Sequence, residues 1–240
     1  MYNELEVRIG TKTCKAFFKS KKEEFFNKIS PIHNHHYTEI HLLARGEISF
    51  DVDNKRYNLT PGNILAVPQE MYHICLNTSL ENTHICFFID VGIKSPKLIE
   101  APSNLIEGFI EDYKKAFDNG NYCKIASYVS LLCNDIFEDE VVYVKASDDY
   151  AIVIEEFFSI HYAEDVRLFD LASQLCLSEK QTERLVLKHT GKTFKQKLSS
   201  TRVEMAKKLI ENSNMPMQKA AEYVGYKSYS GFWKALKEYK

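Results

Sequence analysis

Long apolar runs are missing from this chain of 240 residues. None approaches the ~18 residues that a membrane helix needs, and no charged-then-apolar leader opens the sequence. These absences exclude a membrane protein and predict a cytoplasmic one. Cysteine is present but unpatterned: Cys14, Cys75, Cys86, Cys123, Cys133 and Cys176 stand in no paired spacing. That argues against a disulfide framework or a cysteine-rich zinc module and for reduced thiols. Net charge is nearly absent too, at −2. The neutrality conceals a division. Residues 166–240 hold 15 Lys/Arg against 7 Asp/Glu, a net of +8, and residues 1–165 hold 16 against 26, a net of −10. A basic tail on an acidic body is the electrostatic footprint of nucleic-acid binding.

Internal repetition is absent with one exception, and that exception lies in the basic tail. Leu168, Leu171, Ala172 and Leu175 fall at i, i+3, i+4 and i+7, one apolar stripe of a short helix. Cys176-Leu177-Ser178 follows as a tight turn. Ser178 with Gln181 then forms a capping box that starts a second helix running to His189. The pattern returns with Met217 to Val224, a turn at Gly225, and a last helix capped by Ser228 that carries Phe232, Trp233 and Leu236. Between the two units, Phe194 to Ile210 reads as a connecting helix with Leu198, Met205, Ala206, Leu209 and Ile210 on its buried side. Two helix-turn-helix units in tandem can place two helices in successive major-groove segments of one DNA face.

This stretch resembles the DNA-binding domain of AraC/XylS-type transcriptional regulators. The resemblance rests on Asp170-Leu171-Ala172, Leu177-Ser178, Arg184, Thr190-Gly191-Lys192-Thr193-Phe194, Arg202, Ala206, Leu209, Ala220-Ala221, Gly225-Tyr226, Phe232 and Lys237. With a lead-in helix from Tyr150 to Tyr162 it spans about 90 residues, the size of one small domain. There are departures. Thr182 and Val186 stand where larger apolar residues are usual, Leu236 replaces a usual Phe, and the family's Gly-x-x-Pro-x-x-Tyr continuation does not follow Lys240.

The first 95 or so residues read as β-structure. Ile48 to Val52 alternates, Asp53-Asn54 can turn, and Tyr57 and Leu59 resume on a return strand. Thr60-Pro61-Gly62-Asn63 is a second turn before Ile64-Leu65-Ala66-Val67, and His84 to Val91 is a further apolar strand. Short strands between turn signals predict a sandwich or jelly-roll barrel. Within it, His33-x-His35-x-x-x-Glu39 followed by Gly46, and Gly62 followed by Pro68 and His73, resemble the two cupin motifs. Glu70 stands where the second motif has glycine.

In metal-binding cupins the matching positions, here His33, His35, Glu39 and His73, hold one divalent ion. Imidazoles and a carboxylate suit Fe, Mn, Ni or Zn, and His33 and His35 would point the same way from one strand. AraC-type sensory domains keep this signature with or without a metal, so no cofactor is assigned. His36 and His41 stay outside the set, since single strand histidines are more often structural. His33, His35, Tyr37, Glu39 and His73 are taken as the effector site, with a mixed lining suited to a small polar metabolite such as a sugar.

Residues 97–140 change character. Leu105, Ile106, Phe109, Ile110, Tyr113 and Phe117 form one helical stripe, and Ile125, Tyr128, Val129, Leu132 and Ile136 form another, with a break at residues 118–121. Such a pair resembles the helices through which AraC-type regulators often dimerise; covering the barrel is an equal reading. An acidic stretch from Glu138 to Asp149 reads as a linker.

The expected class is therefore α+β: a cupin-like effector barrel over 1–97, a helical pair and linker over 98–147, and an all-α domain with tandem helix-turn-helix units over 148–240. The expected function is a one-component transcriptional regulator and not an enzyme. Its partners are promoter DNA, a small effector, a second copy of the chain and RNA polymerase, with no membrane. Lys180, Glu183, Arg184 and Lys188 are expected to face DNA in the first unit, and Tyr229, Ser230, Trp233 and Lys234 in the second. Arg184 suits a guanine edge, Lys188 a phosphate, and Glu183 a cytosine amine. The alternative is a metal-dependent cupin enzyme, an isomerase or dioxygenase, with a helical appendage.

Overall fold

The computed structural model describes residues 2–9, 12–19, 31–79, 81–120, 122–137, 142–143, 149–213 and 215–239. The acidic linker stretch from Glu138 to Asp149 falls mostly outside these residues. The chain separates into two compact units, one of Met1–Ser30 with Asn34–Ala146 and one of Pro31–His33 with Ser147–Lys240.

The first unit carries eleven strands among its described residues: β1 (Tyr2–Ile9), β2 (Lys12–Lys19), β3 (Thr38–Arg45), β4 (Ile48–Val52), β5 (Lys55–Leu59), β6 (Asn63–Val67), β7 (His73–Thr78), β8 (Thr83–Ile89), β9 (Val91–Gly92), β10 (Lys97–Glu100) and β11 (Val142–Tyr143). Six of them form an antiparallel sheet in the order β1-β2-β8-β3-β6-β10; a second sheet runs β5-β4-β7, and β9 pairs with β11. The β4–β5 hairpin turns at Asp53 and Asn54, both with positive φ (48° and 66°). That is the geometry of a two-residue hairpin turn whose twist matches its strands.

Side chains alternate across each strand, and that alternation organises the unit. Ile40, Leu42 and Ala44 of β3 with Ile85, Phe87 and Ile89 of β8 face one way. They pack there with Ile106, Phe109, Ile110, Tyr113, Ile125, Val129 and Leu132. These come from α1 (Ser103–Asn119) and α2 (Cys123–Cys133), the latter running into a short 3-10 turn at Asn134–Ile136. The helical pair thus covers the outer face of the large sheet. On the inner face, Leu43, Leu65 and Val67 meet Ile48, Phe50, Val52, Tyr57 and Leu59 of the small sheet. The expected sandwich-like barrel is present as two sheets packed about this interior, with β1 and β2 as strands that its turn signals had not individually marked. One expectation fails. His33 and His35 do not lie on a common strand; both precede β3, His33 at an isolated bridge and His35 in irregular chain.

The second unit is helical: α3 (Asp149–His161), α4 (Leu168–Leu175), α5 (Glu179–Thr190), α6 (Phe194–Ser213), α7 (Met217–Tyr223) and α8 (Tyr229–Glu238). The capping box at Ser178 forms as expected, with the hydroxyl accepting from the Gln181 amide. Ser228 likewise accepts from Gly231 N at 3.2 Å. In α6 the buried side chains are Phe194, Thr201, Val203, Met205 and Ala206, whereas Leu198, Leu209 and Ile210 are only half-buried. The helix therefore presents a narrower apolar stripe than its sequence suggested. Arg202 ties it to the end of α3, donating from Nε to the Tyr162 carbonyl at 2.6 Å and from a terminal nitrogen to the Glu164 carbonyl at 2.8 Å. Among the described residues, no helix is long and apolar enough to cross a membrane.

Candidate DNA-binding helices and the barrel interior

In α5, Thr182 and Val186 are fully buried, one helical turn apart, so the opposite side must face solvent. Lys180, Arg184 and Lys188 are all exposed on it. Glu183 differs from its expected role. It is half-buried, and its carboxylate accepts from the Phe194 amide at 3.3 Å, capping the first turn of α6. In this structure the carboxylate is engaged with α6 and not displayed with the basic residues. Leu187, 51% exposed, stands among the basic residues instead. No sequence signal singled out this exposed apolar side chain.

The second unit repeats the geometry. Phe232 and Ala235 of α8 are buried, and Tyr229, Ser230, Trp233 and Lys234 are exposed. Tyr229 and Trp233 meet edge to face at 6.4 Å, and Lys237 lies 5.9 Å from the Trp233 ring centroid. The turn before α8 depends on Gly225, whose φ is 90°. A β-carbon there would meet the Ala163 carbonyl oxygen at 2.5 Å. Both exposed faces carry Lys or Arg with flanking aromatic or apolar groups, a pairing that binds phosphate and base edges together.

Inside the barrel, the residues expected at the effector site divide. Glu39 leaves the inner face of β3, 5% exposed. Three imidazole nitrogens converge on its Oε2: Nε2 of His73 at 2.8 Å, of His35 at 3.4 Å and of His41 at 3.4 Å. Burial alone would raise the Glu39 carboxyl; the neighbouring His41 and His35 imidazoles outweigh it and hold the carboxyl well below the usual carboxylate range. The shortest contact belongs to His73, whose Nδ1 is anchored 3.0 Å from the Met71 carbonyl. Tyr37 is buried with its ring 5.2 Å from Phe17, and His33 is buried in the segment 31–33 that groups with the helical unit, its Nδ1 2.7 Å from the Pro31 carbonyl.

His35, Glu39 and His73 offer ligand atoms within 4.8 Å of one another. A divalent ion fits this donor set: two imidazoles, one fixed through its second nitrogen by a backbone carbonyl, and a carboxylate. His41 was left outside the set by sequence, yet it belongs to the same cluster. Period-2 spacing of Glu39 with His41, and of His84, Cys86 and Phe88, was the signal that could have found it.

Two family models match the chain. Residues 171–240 match "Helix-turn-helix domain" and residues 27–91 match "Cupin domain". The protein named "Probable transcriptional regulator LumQ" from Photobacterium leiognathi is 20% identical over 236 residues, covering 91% of this chain and 92% of the relative. Among solved structures, an apo ToxT variant from Vibrio cholerae is 13% identical and aligns with 100% of this chain and 93% of its own, with a TM-score of 0.37. The C-terminal domain of AraT, a response regulator from Geobacillus stearothermophilus, is 24% identical over 39% of this chain and 78% of its own, with a TM-score of 0.35.

Proposed function

We propose that this chain, which belongs with the AraC/XylS-type transcriptional regulators, reads two successive segments of promoter DNA with α5 and α8 and that a small molecule in the barrel controls this reading. The observation that carries the proposal is the doubling: two helix-turn-helix units each expose a basic face beside a buried apolar one. In the first, Arg184 supplies a fork for a guanine edge, Lys180 and Lys188 pair with phosphate, and Leu187 packs on a thymine methyl. In the second, Lys234 takes phosphate while Tyr229, Ser230 and Trp233 make base or sugar contacts.

The barrel's part is that of a sensor and not of an enzyme. A carboxylate ringed by imidazoles within an otherwise apolar interior suits a small polar effector, held by His35, Glu39 and His73. Where a divalent ion occupies these residues, it supplies a Lewis-acidic position for such an effector. The chain's own groups orient it, since His73 is fixed from both ring nitrogens. Work in the cytoplasm, a homodimer and contact with RNA polymerase complete the reading. The exposed Leu131 of α2 leaves the helical pair an apolar position on its outer side.

Selection of duplexes from a random library near physiological salt tests the proposal. The expected product is a site with two conserved segments about one helical turn, 10–10.5 base pairs, apart. Failure to enrich any sequence, with or without small polar metabolites, would contradict it. It would also move attention to turnover by a metal-loaded barrel.

A further inference from the structure

Glu39 faces more than His35 and His73. His41 follows it by two positions on β3, so both side chains leave the same face of the sheet. Cys86 stands directly across from His41 in the β3–β8 pairing. Glu39, His41 and Cys86 each offer one ligand atom, and the three atoms lie within 4.8 Å of one another. The His41 ring is 4% exposed. Its Nε2 points toward Glu39 Oε2 at 3.4 Å and makes no hydrogen bond among the described residues. Its Nδ1 lies 3.1 Å from Nε2 of His84, whose ring stacks on it at 5.2 Å. Phe50 covers the ring from the small sheet at 4.3 Å. An imidazole fixed through one nitrogen by a second group, with its other nitrogen buried and turned toward a carboxylate that shares a cluster with a thiol, has the arrangement of a metal ligand.

We infer that Glu39, His41 and Cys86 form a metal site that shares Glu39 with the His35/Glu39/His73 set and competes with it, binding one divalent transition ion through carboxylate, imidazole and thiolate. His84 is its positioning residue, holding His41 through Nδ1. The thiolate decides the class of ion: it favours Zn(II), Co(II) or Fe(II) over Mg(II) or Ca(II), which take oxygen ligands. Three protein ligands leave the fourth position of a tetrahedral ion open to water or an effector atom. As the sulfur–metal bond forms, the Cys86 proton passes to the buffer, so binding strengthens as pH rises. This inference goes beyond the regulator reading and fails separately from it. Duplex selection needs no ion, and ion binding needs no DNA.

The test titrates the full chain, stripped by chelator and kept reduced, with Co(II) alone. One equivalent should bind and give a near-ultraviolet thiolate-to-cobalt charge-transfer band. Cys86→Ser should abolish the band and weaken Co(II) binding by about tenfold or more, and Cys75→Ser should leave both unchanged. His84→Ala should keep the band and weaken binding by about 10–100-fold, the usual effect of losing an outer-shell partner. Circular dichroism of each apo variant separates a lost site from a lost fold. X-ray absorption of the zinc-loaded wild-type chain, which needs no variant, should record one sulfur scatterer. Cobalt binding without the charge-transfer band would assign the ion to His35, Glu39 and His73 and overturn the inference. So would a band that survives Cys86→Ser, or a folded chain that binds no Co(II).

Discussion

Two buried residues of the helical unit carry polar groups that the apolar surroundings oppose. Thr182 is fully buried in α5, and its hydroxyl has no hydrogen-bond partner among the described residues. An unpaired buried hydroxyl costs about 1–3 kcal/mol, and valine has nearly the same shape. Thr182→Val should therefore stabilise the chain by about 1 kcal/mol in urea unfolding; a loss of that size would mean that the hydroxyl is satisfied. Glu156, 7% exposed in α3, has its carboxyl pushed by burial from an ordinary 4.5 up to about 8. Between those values the unfolded chain releases a proton that the folded chain keeps, so stability falls as pH rises through the window. Glu156→Gln should flatten that fall, a difference of about 4 kcal/mol across it. Equal pH profiles for the two chains would refute the assignment. At this scale the sequence named Glu39, His35 and His73 correctly as neighbours, because spacing along a motif survives folding. It left out His41, His84 and Cys86. Their alternation was legible, but the facing of β3 against β8 is a tertiary register that no local pattern contains.

Turns and caps explain why element boundaries were easier to read than strand partners. The start of α5 was legible because Ser178 and Gln181 satisfy orphan amides locally, and the sequence alone fixes such bonds. β1 and β2 were not: they pair with each other as a local hairpin, but what joins them to the sheet is pairing between β2 and β8 across some 70 residues of chain. Two turn positions make opposite predictions. Gly225 has φ of 90° and no room for a β-carbon beside Ala163. Gly225→Ala should cost about 2 kcal/mol or more, and a smaller loss would show that the turn can relax. Glu70 adopts φ of 59° where the cupin motif has glycine, its carboxylate 2.8 Å from His36 Nδ1. Glu70→Gly should relieve a left-handed strain of about 1–2 kcal/mol, partly offset by the added entropy of the unfolded chain. A net gain in melting temperature is expected, and a net loss would give the His36 contact the larger weight.

For the molecule as a whole, the division of charge is the feature that sequence and structure present together. The net of +8 over residues 166–240 belongs to the helical unit, where Lys180, Arg184, Lys188 and Lys234 are exposed. Affinity for DNA should accordingly fall steeply with salt, each phosphate contact contributing roughly 0.9 to the logarithmic slope. The central claim is sharper than charge: α5 and α8 read separate segments. It is tested most directly by repeating the duplex selection with Arg184→Ala and with Trp233→Ala. Each variant should relax preference in one segment only, and in different ones, at a cost of about 1–3 kcal/mol for the affected position. Two variants that weaken all sequences alike, or that relax the same segment, would contradict the account.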